Sequence, residues 1–113
     1  MKIEGEGQLL RIFIGESDRW QNRSLTDAIL EMLRAEGLAG ATVTRGVAGF
    51  GAHSRIHTAH VLRMSEDLPI VIETVDRPDR IEKALTKLAE MVVEGLVVVS
   101  DVDILIYRHA EDA

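Results

Sequence analysis

The sequence predicts an α+β fold in one domain spanning residues 1–113, and three observations predict it. Short apolar runs of strand type recur at residues 9–15, 41–47, 70–75 and 97–107. Two stretches, beginning at Leu25 and Ile81, repeat apolar residues at helical spacing. The two kinds alternate as strand, helix, strand and again strand, helix, strand, in a chain of 113 residues, long enough for one core and short for two.

Each element has its own signal. In residues 9–15, Leu10, Ile12 and Ile14 fall on one face and Leu9 and Phe13 on the other, with Arg11 the exception. A strand apolar on both faces is central. Residues 16–23 are polar and read as a loop. Ser24 is placed to cap a helix, with Asp27 at the capping-box position. Leu25, Ala28, Ile29, Met32 and Leu33 follow on one face, and Gly37 supplies the stop. Residues 41–47 set Ala41, Val43, Arg45 and Val47 against Thr42, Thr44 and Gly46, the strand period. A loop is expected at about residues 49–57, with residues 58–64 resuming as strand. Glu66-Asp67 and Pro69 mark a turn before the strand at 70–75. Asp76 is placed to cap the second helix, with Pro78 in its first turn. Ile81, Ala84, Leu85, Leu88, Met91 and Val92 make its apolar stripe, and Glu94-Gly95 ends it. Residues 97–107 give the last strand or strand pair, interrupted near Ser100-Asp101, and residues 109–113 are expected to fray.

The order β-α-β-β-α-β is the split βαβ, ferredoxin-like arrangement: a four-stranded antiparallel sheet with two helices on one face. Right-handed crossovers put the first and third strands at the centre. Two helices cover only one face. The other is expected to carry Leu9, Phe13, Val71, Val75, Leu105 and Tyr107, or their alternates. A sheet face this apolar meets another subunit, so a homo-oligomer is expected.

Composition excludes several functions. There are no cysteines, hence no disulfides and no thiolate metal site, in keeping with a cytoplasmic location. Residues 1–7 hold two Glu and two Gly and do not read as a signal peptide, and no apolar run has the length of a membrane span. A net charge of −6 and only four aromatic residues argue against nucleic-acid binding.

The strongest functional signal is a gap in the charge pattern. Residues 37–65 contain no Asp or Glu but carry Arg45, Arg55 and Arg63, with His53, His57 and His60. That stretch is +3, so the rest of the chain sums to −9. Inside it lies Arg45-Gly46-Val47-Ala48-Gly49-Phe50-Gly51. Glycines let a backbone approach a ligand and form an anion-binding nest, and Arg45 and Arg55 would supply charge-assisted hydrogen bonds. The run is neither a P-loop nor a dinucleotide fingerprint, and a glycine-rich bulge at a hairpin exit is the alternative reading. The three histidines, at spacing 4 and 3, would share a face on a helix and could bind zinc, but their neighbours favour loop and strand. Ser54, Ser65 and Ser100 lack a nucleophile-elbow context. Asp101 and Asp103 share a strand face, which suits a polar or inter-subunit surface better than acid–base chemistry. No enzyme signature is present.

The markers Leu10-Arg11-Ile12-Phe13-Ile14-Gly15-Glu16, Ala39-Gly40-Ala41-Thr42-Val43-Thr44-Arg45-Gly46, Gly49-Phe50-Gly51, Leu68-Pro69-Ile70-Val71-Ile72 and Val102 run in order along nearly the whole chain. Together they resemble the PII-like family called domain of unknown function 190, related in architecture to nitrogen-regulatory PII proteins. The resemblance implies a trimer of ferredoxin-like subunits. It implies a small effector, often an adenine nucleotide, bound in clefts between subunits. It also implies a loop, here around residues 49–57, that engages a partner protein such as a transporter or enzyme. Carried over, Gly49, Phe50 and Gly51 match the loop base near the nucleotide, Arg45 and Gly46 precede it, Arg55 lies in the loop, and Arg108 resembles the basic residues that meet phosphates after the last strand. The phosphate loop of PII proteins has no counterpart in Glu94-Gly95-Leu96-Val97-Val98-Val99-Ser100, which holds no Lys or Arg. AMP, ADP or a cyclic nucleotide therefore fits better than ATP. The absence of Tyr between Phe50 and Pro69 removes a site for loop-tyrosine modification. The alternative is a trimeric metal-binding protein of the copper-tolerance type, with His53, His57 and His60 as ligands.

Overall fold

The computed structural model describes residues 4–50, 57–58, 67–108 and 110. Its elements in chain order are β1 (Gly5–Gly15), β2 (Arg19–Trp20), β3 (Arg23–Ser24), α1 (Leu25–Ala35), β4 (Thr42–Arg45), β5 (Ala48–Gly49), β6 (His57–Thr58), β7 (Pro69–Asp76), α2 (Pro78–Met91) and β8 (Leu96–Ile104). The main sheet has four strands in the order β4-β7-β1-β8, all neighbours antiparallel, so the first and third of the main strands are central as predicted. The fold is ferredoxin-like α+β.

The strand period places the core. Leu10, Ile12 and Ile14 of β1 and Ile70 and Ile72 of β7 point to one face and are buried. Against them pack Leu25, Ala28, Ile29 and Leu33 of α1 and Ile81, Ala84, Leu88 and Met91 of α2. These helical positions recur every three or four residues, so each helix turns one stripe to the sheet. Ser24 caps α1 as expected, its Oγ accepting from the Asp27 N–H at 3.3 Å. At the other end Gly37 has φ +85°, the Leu38 N–H donates to Leu33 O and the Gly37 N–H to Arg34 O. That is a Schellman stop, which needs a left-handed residue and returns the apolar Leu38 to the core.

Four local expectations are corrected. The polar stretch after β1 contains a ribbon, β2 paired with β3, turned by Gln21 and Asn22, both at positive φ. Two successive left-handed residues make the turn type that matches strand twist, a signal weak in a Gln-Asn pair. Next, Asp76 is not the cap of α2: that place falls to Arg77, which makes no side-chain cap bond. Asp76 is instead fully buried at the end of β7. Its Oδ2 accepts from the Ala39 N–H at 2.9 Å, its Oδ1 accepts from the Arg77 N–H at 2.7 Å, and Arg80 Nη1 lies 3.6 Å away. One carboxylate thereby ties the approach to β4 and the start of α2 to a central strand. Third, β8 is not interrupted at Ser100-Asp101, since Ser100 pairs with Leu9 and Asp101 with Gln8. On an edge strand these polar side chains face solvent, so the ladder has no reason to break there. Last, Leu105 and Tyr107 lie beyond the ladder, because β1 ends at Gly5 opposite Ile104. The chain crosses there, and the Tyr107 hydroxyl reaches Ala39 O at 3.4 Å.

The strand expected at residues 41–47 is shorter in the main sheet. The Gly46 N–H donates to Pro69 O at 2.7 Å and the ladder stops. Ala48 and Gly49 then pair with Thr58 and His57 in a separate ribbon. Residues 59–66, most of the strand expected at 58–64, lie outside the described residues.

The face away from the helices carries Leu9 and Phe13 of β1, Val71 and Val75 of β7, and Leu96 and Val98 of β8, set side by side by the register. Leu96 is 56% exposed and Val75 41%. In its middle Arg11 and Glu73, cross-strand partners, form an ion pair of 2.6 Å.

Replacing Asp76 by Ala should lower unfolding stability by about 2–5 kcal/mol, because two main-chain N–H groups and a guanidinium lose a buried partner. Urea denaturation checks it, with the m-value unchanged. A loss under about 1 kcal/mol would mean that water replaces the carboxylate there.

Candidate functional site

The glycine run leads from β4 to the pocket at one end of the sheet. Gly46 ends the β4 ladder on Pro69, and the ribbon β5–β6 then holds the two ends of the expected loop together, Gly49 opposite His57. Gly49 packs so near Pro69 that a Cβ would lie 2.7 Å from the proline Cγ. At this end of the sheet Phe13, Gly49, Phe50, Pro69, Gly95 and Leu96 surround a cavity of about 450 Å³. Phe50, in the lining of this cavity, is 72% exposed.

The electrostatics differ from the sequence expectation. Arg45 is not an unengaged cation. Its Nε lies 2.8 Å from Glu16 Oε2 and its Nη2 2.9 Å from Glu16 Oε1, a two-bond fork across 29 residues of sequence. The cavity itself is lined by Asp18, Asp67 and Glu94, with the Arg45–Glu16 pair outside its lining. Two of these carboxylates fix the turn after β1: Asp18 Oδ2 accepts from the Gly15 N–H at 2.9 Å, and Asp67 Oδ1 from the Ser17 N–H at 3.1 Å. The charge gap of residues 37–65 is therefore closed from outside, by acidic residues that the β1–β7 register, Gly15 opposite Pro69, brings to the same corner. Sequence reasoning missed Glu16, Asp18, Asp67 and Glu94 as site residues. The available signal was the acidic run Glu16-Ser17-Asp18 at the end of a central strand.

Of the expected site residues, Arg45, Gly46, Gly49 and Phe50 meet at this corner. Gly51, His53, Arg55 and His60 lie outside the described residues, and of His57 the backbone alone is described, in β6. Arg108 is exposed and sits at the opposite end, beyond Ile104 and next to Tyr107. The β1–β8 ladder alone runs eight residue steps, from Gly5 to Phe13, roughly 26 Å at about 3.3 Å per residue. Arg108 and Arg45 of one protomer thus cannot hold one small anion. Among the described residues no group of three His, Asp or Glu is arranged to hold a metal ion. Asp101 and Asp103 are exposed on β8, opposite Gln8 and Glu6, with a 3.2 Å bond from Gln8 to Asp101. A second, larger hollow of about 980 Å³ lies on the open face at the Arg108 end, between Leu9, Val75 and Thr42 and the crossing segment with Ile106 and Tyr107.

Comparison with known proteins agrees with this fold. The DUF190 family model, described as Uncharacterized ACR, matches residues 7–104. A UPF0166 protein of Methanocaldococcus jannaschii is 32% identical over 97 residues, which is 85% of this chain and 89% of that protein. Among solved structures, CPII of Thiomonas intermedia K12, a nitrogen regulatory PII-like protein bound to ADP, AMP and bicarbonate, superposes with a TM-score of 0.65 at 17% identity, covering 88% of this chain and 94% of that one. A putative PII-like signaling protein from Thermus thermophilus gives a TM-score of 0.62 at 20% identity, covering 89% of this chain and 90% of that one. At these identities the likeness is one of fold.

Gly95 is the position where the cavity wall depends on glycine. Its φ is +152° and a Cβ would meet Phe13 O at 2.7 Å. Gly95→Ala should cost about 1–3 kcal/mol through strain and displaced backbone, lowering Tm by about 4–8 °C per kcal/mol. Gly40→Ala, where a Cβ meets nothing within 4 Å, should leave Tm within a degree or two of wild type, about the scatter of a neutral surface change.

Proposed function

The chain belongs to the DUF190 family, whose PII-like fold it shares, and from that premise we propose that it is a PII-like regulatory protein. It binds an adenine nucleotide, AMP or ADP, at clefts between subunits and acts on a partner protein through the loop around residues 49–57. The observation that carries the reading is the cavity at the loop base. It offers an exposed aromatic ring and apolar walls for a purine, and the Arg45–Glu16 pair stands outside its lining, at the adjoining strand ends. The carboxylates of Asp18 and Asp67 suit the amino group and N–H edge of a base rather than a phosphate. Phosphate belongs on the Arg45 side. The neighbouring segment from Glu94 to Ser100 contains no Lys or Arg, so a third phosphate gains no cation from it. That favours a mono- or diphosphate over ATP.

The placement of Arg108 supports an assembled site. It lies a sheet length from Arg45 in its own subunit and can join an Arg45 site from a second copy. The apolar open face gives such copies a reason to associate. The β5–β6 ribbon holds both ends of the loop beside the cavity. A ligand that favours one arrangement of the loop base then shifts the loop population, and with it the affinity for a partner. CPII, described as bound to ADP and AMP, is the precedent for this ligand class on this fold.

Titration calorimetry with AMP, ADP, ATP and cyclic AMP tests the reading. AMP or ADP should bind below millimolar Kd, ATP no tighter than ADP, and Arg45→Ala should weaken binding by about tenfold, the worth of one charge-assisted hydrogen bond. Light scattering should report an oligomer. A stable monomer, or no nucleotide bound below millimolar, overturns the proposal.

A further inference from the structure

We propose that Glu16 determines which anions the loop base accepts, by competing with them for Arg45; the inference rests on reading this corner as an anion-binding site. The Nε–Nη2 edge of Arg45 is engaged by both Glu16 oxygens, at 2.8 and 2.9 Å. That is the fork by which arginine grips a carboxylate or a phosphate. Glu16 therefore occupies the position an incoming phosphate would take on that edge. It is held there by the fold: its N–H donates to Leu68 O at 2.9 Å, and the next N–H, that of Ser17, donates to Asp67. The pair can nonetheless open. Its side chains are 52% and 35% exposed, and an ion pair so exposed contributes about 1 kcal/mol or less.

A phosphate reaching Arg45 has two choices. It displaces the carboxylate and forfeits that attraction, or it binds beside it and meets a like charge a few ångströms away. The second cost rises with ligand charge. The adjoining cavity is lined by Asp18, Asp67 and Glu94, of the same sign, and by no described Lys or Arg side chain that would offset it. Glu16 thus lowers affinity for anions generally and for highly charged ones most. It acts on charge discrimination, whereas the cavity walls act on shape.

The test is titration calorimetry of AMP and of inorganic pyrophosphate into wild type, Glu16→Gln, and Glu16→Gln combined with Arg45→Ala. Glu16→Gln keeps size and a hydrogen-bond acceptor but removes the charge. It should bind about three- to tenfold tighter, the equivalent of one exposed ion pair. The gain should be larger for pyrophosphate than for AMP, shrink as salt is raised, and vanish in the double variant. A gain of affinity is not what a damaged fold produces. Arg45-dependent tightening of either probe is the expected result. Its absence for both, including no binding of either probe to Glu16→Gln, overturns the role of Glu16. If pyrophosphate tightens while AMP binds neither protein, Glu16 keeps its role and the nucleotide reading falls. If AMP and pyrophosphate bind wild type and Glu16→Gln alike, the nucleotide reading stands and the role of Glu16 falls.

Discussion

Two helices can cover only one face of a four-stranded sheet, and most of this molecule follows from that limit. It explains why, of the apolar residues on both faces of β1 and β7, only one set, Leu10, Ile12, Ile14, Ile70 and Ile72, is buried. It also leaves Leu9, Phe13, Val71, Val75, Leu96 and Val98 together outside the core, around the Arg11–Glu73 pair. An ion pair amid apolar side chains costs little while water reaches it and fixes register when it is covered, since either charge alone would be stranded. The candidate corner lies where this sheet ends, at the junction of strand termini, which is where backbone amides and carbonyls leave the ladder and become available.

At that corner, close backbone approach and charge compensation work together. Gly15 is crowded by the Asp67 and Asp18 carboxylates, Gly49 by the Pro69 ring, and Gly95 by Phe13 O. A side chain at Gly49 or Gly95 would push the cavity wall apart, and one at Gly15 would displace the carboxylates. Glycines serve here for want of bulk more than for flexibility. Around them, carboxylates from the β1–β2 turn and from residue 67 bind main-chain N–H groups, so the acidic character of the pocket is partly structural.

The cation-rich stretch was legible in the sequence as a place of interest, and of its glycines Gly46 ends the β4 ladder and Gly49 lies in β5. Its electrostatic character was not legible. Arg45 and Glu16 are 29 residues apart, and no local pattern pairs them. Their contact requires the antiparallel β1–β7 and β4–β7 registers, which place residues 15, 69, 45 and 70 at one end of the sheet. Asp76 is a similar case. Locally it reads as a helix cap. Only the path of residues 37–40 past the end of β7 gives it a second partner in Ala39 and buries it. The same holds for Arg108, whose distance from Arg45 depends on which end of β1 faces the end of β8.

The sequence by itself determined the type and order of the two helices and four main strands, the side of each helix that is buried and which strands are central. These depend on period, capping and chain handedness, all of which act within a few residues or follow from connection rules. The tertiary structure alone decided which charges meet, where the glycine run turns out of the sheet, and that two expected anion-binding arginines stand at opposite ends of one subunit. Such contacts join residues far apart in the chain, and their partners are chosen by register and packing rather than by any local preference.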